Sequence, residues 1–153
     1  MTEAFADTVA RVKSQYELCF GCGMHNPIGL RLDGFEPDGD TGIRTMFTPR
    51  DHYRGFADVL HGGVVAAALD ETMAWTAILR ESAMAVAAKL DLRFRAPAPA
   101  DEPLLLTGNI VERRGKRLVI AAEASAHGTA LAEAEGLFLI VGGLPPGDGA
   151  DHD

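Results

Sequence analysis

Residues 61–81, HGGVVAAALDETMAWTAILRE, decide how this chain folds. They read as one long helix from about Gly62 to Glu81. Apolar residues fall on nearly all of its faces, and Ala66, Ala67 and Ala68 stand in a row. A helix that is apolar all round has to be wrapped by other structure. Val64 to Leu79 is also the longest apolar stretch, but Asp70, Glu71 and two threonines interrupt it and it is shorter than a bilayer span. The helix is therefore expected at the centre of a folded domain, not in a membrane.

Downstream of the helix everything reads as strand. Leu90, Leu92, Phe94 and Ala96 alternate with Lys89, Asp91, Arg93 and Arg95 until Pro97-Ala98-Pro99 ends the run. Residues 104–111 and 117–126 form a pair around Arg114-Gly115-Lys116, and 130–141 make a last long strand. Upstream, Phe5, Val9, Val12 and Tyr16 mark one face of a short amphipathic helix. Residues 21–29, GCGMHNPIG, read as a structured turn. Two further strand signals follow, at Ile28, Leu30 and Leu32 and at Ile43, Thr45 and Phe47, with 36–41, EPDGDT, as the hairpin turn between them. Strands joined by short turns favour an antiparallel sheet, so the fold class is α+β, a sheet wrapped around one central helix. A single crossover helix does not support an alternating βαβα fold, and no internal repeat is visible. The chain divides into an N-terminal helix (1–18), one domain (19–143) and a tail (144–153) expected to be disordered.

The chain has 153 residues, 47% hydrophobic and 24% charged, as expected for one globular domain. Its 14 Lys and Arg against 22 Asp and Glu leave a net charge of −8. That balance argues against nucleic acid or an anionic membrane as partner, while leaving room for a local basic site. The first twenty residues lack a cationic start followed by an apolar run, so a cytoplasmic location is expected. Cys19 and Cys22 form a single C-x-x-C with no second pair, so one chain cannot build a four-cysteine zinc site and no metal is expected.

His61-Gly62-Gly63 and Asp70 carry the sharpest chemical signal. Two glycines at a helix start let a ligand approach the backbone, where the first N–H groups lack intrahelical partners and the dipole favours negative charge. That arrangement suits an oxyanion. Asp70 has the small or flexible Ala66, Ala67, Met73 and Ala74 three and four residues away. An apolar setting would raise its pKa toward that of a useful base. Eight residues of helix separate Gly62 from Asp70 by about 12 Å. One carbonyl cannot lie within about 3 Å of both in the same chain. If both act on one substrate, a dimer must share its sites. Glu71, about 100° round the helix and beside Trp75, is expected to face solvent or be paired.

Cys19-Phe20-Gly21-Cys22-Gly23, Asn26-Pro27-x-Gly29-Leu30, Tyr53-x-Gly55, His61-Gly62-Gly63 and Asp70-Glu71 together resemble the hotdog-fold acyl-CoA thioesterases of the phenylacetate-pathway type. The resemblance covers residues 19–141 and implies the hotdog fold, dimers that pair sheets edge to edge, and often tetramers. It also implies that Asp70 is the nucleophile or general base toward a thioester. The Gly62 N–H, with Gly63 beside it, would polarise the carbonyl, and His61 would shape the turn. Coenzyme A would enter as part of substrate or product, with no separate cofactor. Many members carry Ser or Thr ten residues before the Pro that ends the post-helix strand, where it helps hold the attacking water; here that position is Ala87.

Arg113, Arg114, Lys116 and Arg117 could grip the phosphates of coenzyme A, although such a run often marks a solvated turn. Cys19 and Cys22 could bind metal or switch redox state, with packing in a tight turn preferred. The expected function is hydrolysis of an acyl-CoA or aryl-CoA thioester. The alternatives are an acyl-CoA sensor without catalysis, which Ala87 keeps open, and an acyl-CoA hydratase, for which His61 in a glycine turn is a poor proton carrier.

Overall fold

A computed structural model describes residues 3–147. Helix α1 (Glu3–Gln15) is followed by strands β1 (Glu36–Asp38) and β2 (Gly42–Phe47) and a short 3-10 turn (Asp51–Tyr53). The central helix α2 (Gly62–Glu81) comes next, then β3 (Ala83–Phe94), β4 (Leu104–Arg114), β5 (Arg117–Ala126) and β6 (Thr129–Gly143). The six strands form one antiparallel sheet in the order β1-β2-β4-β5-β6-β3. This is the hotdog architecture that the patterning and the resemblance lead one to expect.

The helix lies against the sheet through Val65, Ala68, Leu69, Met73 and Ala77, which meet Leu104, Leu106, Leu118, Ile120, Ala124 and Phe138 in one core. Two buried threonines on α2 satisfy themselves locally: the Thr72 hydroxyl donates to Ala68 O and that of Thr76 to Thr72 O, each at 2.7 Å. Opposite them stands Gly108 of β4, where a Cβ would collide with Thr76 Oγ1. The glycine sets how closely helix and sheet approach. Gly108→Val is therefore expected to cost roughly 3 kcal/mol by overpacking, read as a melting temperature lower by about 6–12 °C.

On α1, Val9 and Val12 are buried as predicted, while Tyr16 lies beyond the helix end and is exposed. Arg80 ties the C-terminal end of α2 to the β1–β2 turn, donating to Gly42 O at 2.9 Å and Gly39 O at 2.8 Å. Leu144, just past β6, packs against the core. Residues 148–153 of the predicted tail lie outside the described residues.

One strand is placed differently from the sequence reading. Ile28, Leu30 and Leu32 do not form a strand, and β1 occupies Glu36–Asp38, within the segment read as turn. Leu30 and Leu32 are buried, but their N–H groups donate to Phe20 O at 2.7 Å and Gly21 O at 2.9 Å. Alternation reports one buried face, and here an extended segment clamped onto the C-x-x-C turn provides that face without a sheet neighbour. Tyr53 Oη, donating to Gly29 O, and Arg50, donating to Pro27 O at 3.2 Å, hold the same segment from the other side.

Strand β3 starts at Ala83, seven residues before the periodic stretch, and pairs only with β6, from Ala83↔Gly143 to Phe94↔Ala132. Its other side is an unpaired sheet edge in the single chain, with Val86, Ala87, Ala88 and Lys89 all exposed.

Candidate active site

The turn into α2 is built around His61. Its N–H donates to Tyr53 O at 2.9 Å, and its carbonyl accepts from Val64 N and Val65 N at 2.9 and 3.2 Å. Its ring caps the helix: Gly63 N–H donates to His61 Nδ1 at 2.9 Å. An accepting Nδ1 fixes the neutral imidazole with its proton on Nε2. The Gly63 N–H is therefore consumed inside the turn. Gly62 N–H is left as the first-turn donor without an acceptor among the described residues, pointing the helix dipole outward. Beside it is a cavity of about 400 Å³ lined by Gly62, Val65, Phe94, Arg95 and Leu131.

Asp70 stands two turns further along α2. It is half-buried, not fully buried, and makes no hydrogen bond or ion pair among the described residues. Burial, with the nearby Cys19 as a lesser contribution, holds its carboxyl above the usual carboxylate range. Ala66, Ala67 and Ala74 beside it are likewise only partly covered, so small side chains leave one face of the helix open around the acid. Gly62 and Asp70 remain about 12 Å apart along one helix, and one chain does not bring them onto a common carbonyl.

Glu71 is the residue the sequence reading underrated. Its carboxylate turns inward and accepts from Trp75 Nε1 at 3.2 Å, while the Cys19 thiol lies 3.6 Å from Oε1. Trp75 is fully buried and stacks on Phe35 with ring centroids 4.9 Å apart. The pairing expected of Glu71 is present, with partners drawn from two segments. Cys19 and Cys22 are unbridged thiols. Hydrogen bonding from Cys22 holds Cys19 down at about 5, and the same contact together with burial pushes Cys22 up. Burial pushes Glu71 up to about 7. These groups line a larger cavity of about 560 Å³, walled otherwise by Val12, Tyr16, Leu18, Ile78 and Met84.

The cationic hairpin lies elsewhere. Arg113 pairs with Glu81 at the C-terminal end of α2, and Arg114 lies 2.6 Å from Glu112. Lys116 and Arg117 are exposed. A helix of this length puts the hairpin about 28 Å from Gly62. Within one chain, Arg95 lines the same cavity as Gly62 and pairs with Glu133 at 2.9 Å. No helix among the described residues is long and apolar enough to cross a membrane.

Comparison with known proteins follows the same lines. No curated protein matches the chain in sequence. Among solved structures, a thioesterase superfamily protein shares 27% identity at a TM-score of 0.72, covering 80% of this chain. The chain spans 60% of that protein's length. The Escherichia coli PaaI protein, from the phenylacetic acid degradation operon, superposes at a TM-score of 0.73 over 93% of this chain and 99% of its own, with 17% identity. A Streptococcus mutans protein solved bound to acetyl-CoA gives a TM-score of 0.66 over 74% of this chain and 90% of its own, with 16% identity. The last two likenesses speak to the fold alone. Residues 57–133, half of the chain and including the His61 turn and Asp70, match the Thioesterase superfamily profile. By its sequence and by its sheet-wrapped helix, the chain belongs to the thioesterase superfamily.

Proposed function

We propose that the protein hydrolyses the thioester of an acyl- or aryl-CoA in a homo-oligomer whose sites each draw Gly62 from one subunit and Asp70 from another. The observation that carries this reading is the pair of unengaged groups on α2. Gly62 N–H and the half-buried Asp70 carboxylate both lack partners among the described residues, yet stand too far apart to serve one substrate in one chain. The Gly62 N–H stabilises the charge that develops on the carbonyl oxygen. Asp70 attacks the carbonyl directly or activates a water, its raised pKa bringing it nearer to a base of useful strength. The thiolate of coenzyme A leaves without acid assistance. His61 holds the turn, and with Nδ1 engaged by Gly63 N–H it offers no basic nitrogen to the reaction; this disfavours a hydratase that needs a histidine base. Solved neighbours holding acetyl-CoA or coenzyme A lend support to the choice of ligand. Release of free thiol from a panel of acyl- and aryl-CoA esters tests the activity.

The bare edge of β3 is the surface we assign to subunit pairing. An unpaired twelve-residue edge is a template for another strand, and Val86 lies exposed on it. Val86→Lys is expected to convert the assembly to monomers by light scattering and to abolish turnover in parallel. Monomers with full activity would refute shared sites. The hairpin cations would meet coenzyme A phosphates in the assembly and not within one chain. Replacing Lys116 and Arg117 together by Ala is then expected to raise KM for the CoA ester about three- to tenfold with kcat unchanged, and to leave KM for a thioester lacking the nucleotide unaltered.

A second reading has one observation in its favour. Ala87, exposed on β3, supplies no hydroxyl to hold an attacking water. Acyl-CoA binding without thiol release across the panel would favour a sensor.

A further inference from the structure

We propose that Cys19, Cys22 and Glu71 form a binding site for a zinc-type divalent cation, with three protein ligands and a fourth position open to the adjoining cavity. Among the described residues these three place one donor atom each within 4.8 Å of one another. The Cys19 Sγ to Glu71 Oε1 separation is 3.6 Å. In a tetrahedral site with sulfur at about 2.3 Å and oxygen at about 2.0–2.2 Å from the metal, neighbouring donors lie about 3.4–3.8 Å apart. Cys19 and Glu71 thus already stand at ligating separation, with Cys22 Sγ within 4.8 Å of both donors.

The surroundings are built for this arrangement. C-x-x-C is a spacing used for zinc, and here Gly23 N–H donates to Cys19 O at 2.8 Å to close the turn. The Glu71 carboxylate packs against Gly21, where any Cβ would collide with it. Glycine at this position therefore admits the carboxylate to the thiol pair. The Trp75 indole N–H donates to the same Glu71 Oε1 and fixes the carboxylate in place, as an outer-sphere partner does for a ligating acid.

Two points favour a cation over a simple thiol pair. A C-x-x-C that only packs has no need of a carboxylate turned in against its sulfurs. No Lys, Arg or His among the described residues pairs with Glu71, although buried charge is ordinarily neutralised by a cation. Soft thiolates select zinc-like ions over magnesium or calcium. All three donors also line the 560 Å³ cavity, so a fourth position would be reachable by water or a small ligand. C-x-x-C alone offers two ligands. The third arrives from a helix 52 residues further along the chain, which no local spacing reveals.

The proposal does not depend on thioester hydrolysis, and its test reads metal, not turnover. The full chain, fully reduced, is titrated with Zn2+ against a chromophoric chelator and separately loaded with Co2+. The expected result is one equivalent per chain, with a thiolate-to-cobalt charge-transfer band that falls in Cys19→Ser and in Cys22→Ser. Glu71→Gln is expected to weaken Zn2+ binding at least about tenfold while keeping the thiols and the melting curve of the metal-free protein. If a serine variant does not fold, the wild-type cobalt spectrum still decides whether thiolates bind the ion. Binding below a tenth of an equivalent would overturn the proposal, as would an affinity unchanged in Glu71→Gln. So would a reduced chain that ignores both metals yet forms a Cys19–Cys22 disulfide with peroxide.

Discussion

Asp70→Asn is expected to lower kcat for thioester hydrolysis by about 10²- to 10⁴-fold while leaving fold and assembly intact. Asn has the shape of Asp but neither attacks a carbonyl nor accepts a proton from water. Asp70 makes no hydrogen bond or ion pair among the described residues, so no structural contact is lost on substitution. Removing a carboxylate held above its usual pKa by burial should leave stability near neutral pH unchanged or slightly improved. Melting temperature and light scattering at wild-type values, with thiol release at background, are the outcome required. Undiminished turnover would remove Asp70 from the mechanism.

Gly62→Pro is the second large effect, expected at about 10²- to 10³-fold in kcat, the usual consequence of deleting one oxyanion donor. The substitution is unusually clean here. Gly62 is the first residue of α2, where proline is welcome because that N–H has no intrahelical partner. The preceding residue, His61, has φ −57° and ψ 132°, an extended conformation that a following proline favours. A Cβ at position 62 would sit 3.7 Å from Phe94 Cζ, an ordinary contact. Melting should therefore be unaffected. Gly62→Ala, which adds the same Cβ but keeps the N–H, is the control and should retain most of the activity. Equal losses in the two variants would mean that crowding, not the missing donor, is responsible.

Much of this site could be read directly along the chain because its signals are local. The all-apolar α2 demanded a sheet around it, and strands β4 to β6 declared themselves by alternation broken at tight turns. His61, Gly62 and Asp70 all lie on that one helix, so their spacing was available from numbering alone. What escaped depended on contacts between distant segments. Leu30 and Leu32 look like a strand face because they are buried alternately, yet the C-x-x-C turn supplies their hydrogen bonds. Glu71 gains its partners from Trp75 on one side and Cys19 on the other. The Arg113 to Arg117 cluster reads as a phosphate grip by charge, and its position at the far end of α2 from Gly62 comes from the Arg113–Glu81 ion pair, which numbering does not show.

Mixing the two impaired variants tests the shared site most directly. Asp70→Asn and Gly62→Pro homodimers are co-denatured, reassembled together, and assayed for thiol release against each variant reassembled alone. In a mixed dimer one site combines an intact Gly62 from one subunit with an intact Asp70 from the other, and the second site lacks both. Half of randomly reassembled dimers are mixed, so the account predicts recovery of about a quarter of wild-type activity. Activity no greater than that of the two variants reassembled separately, with mixed dimers shown to be present, would contradict it.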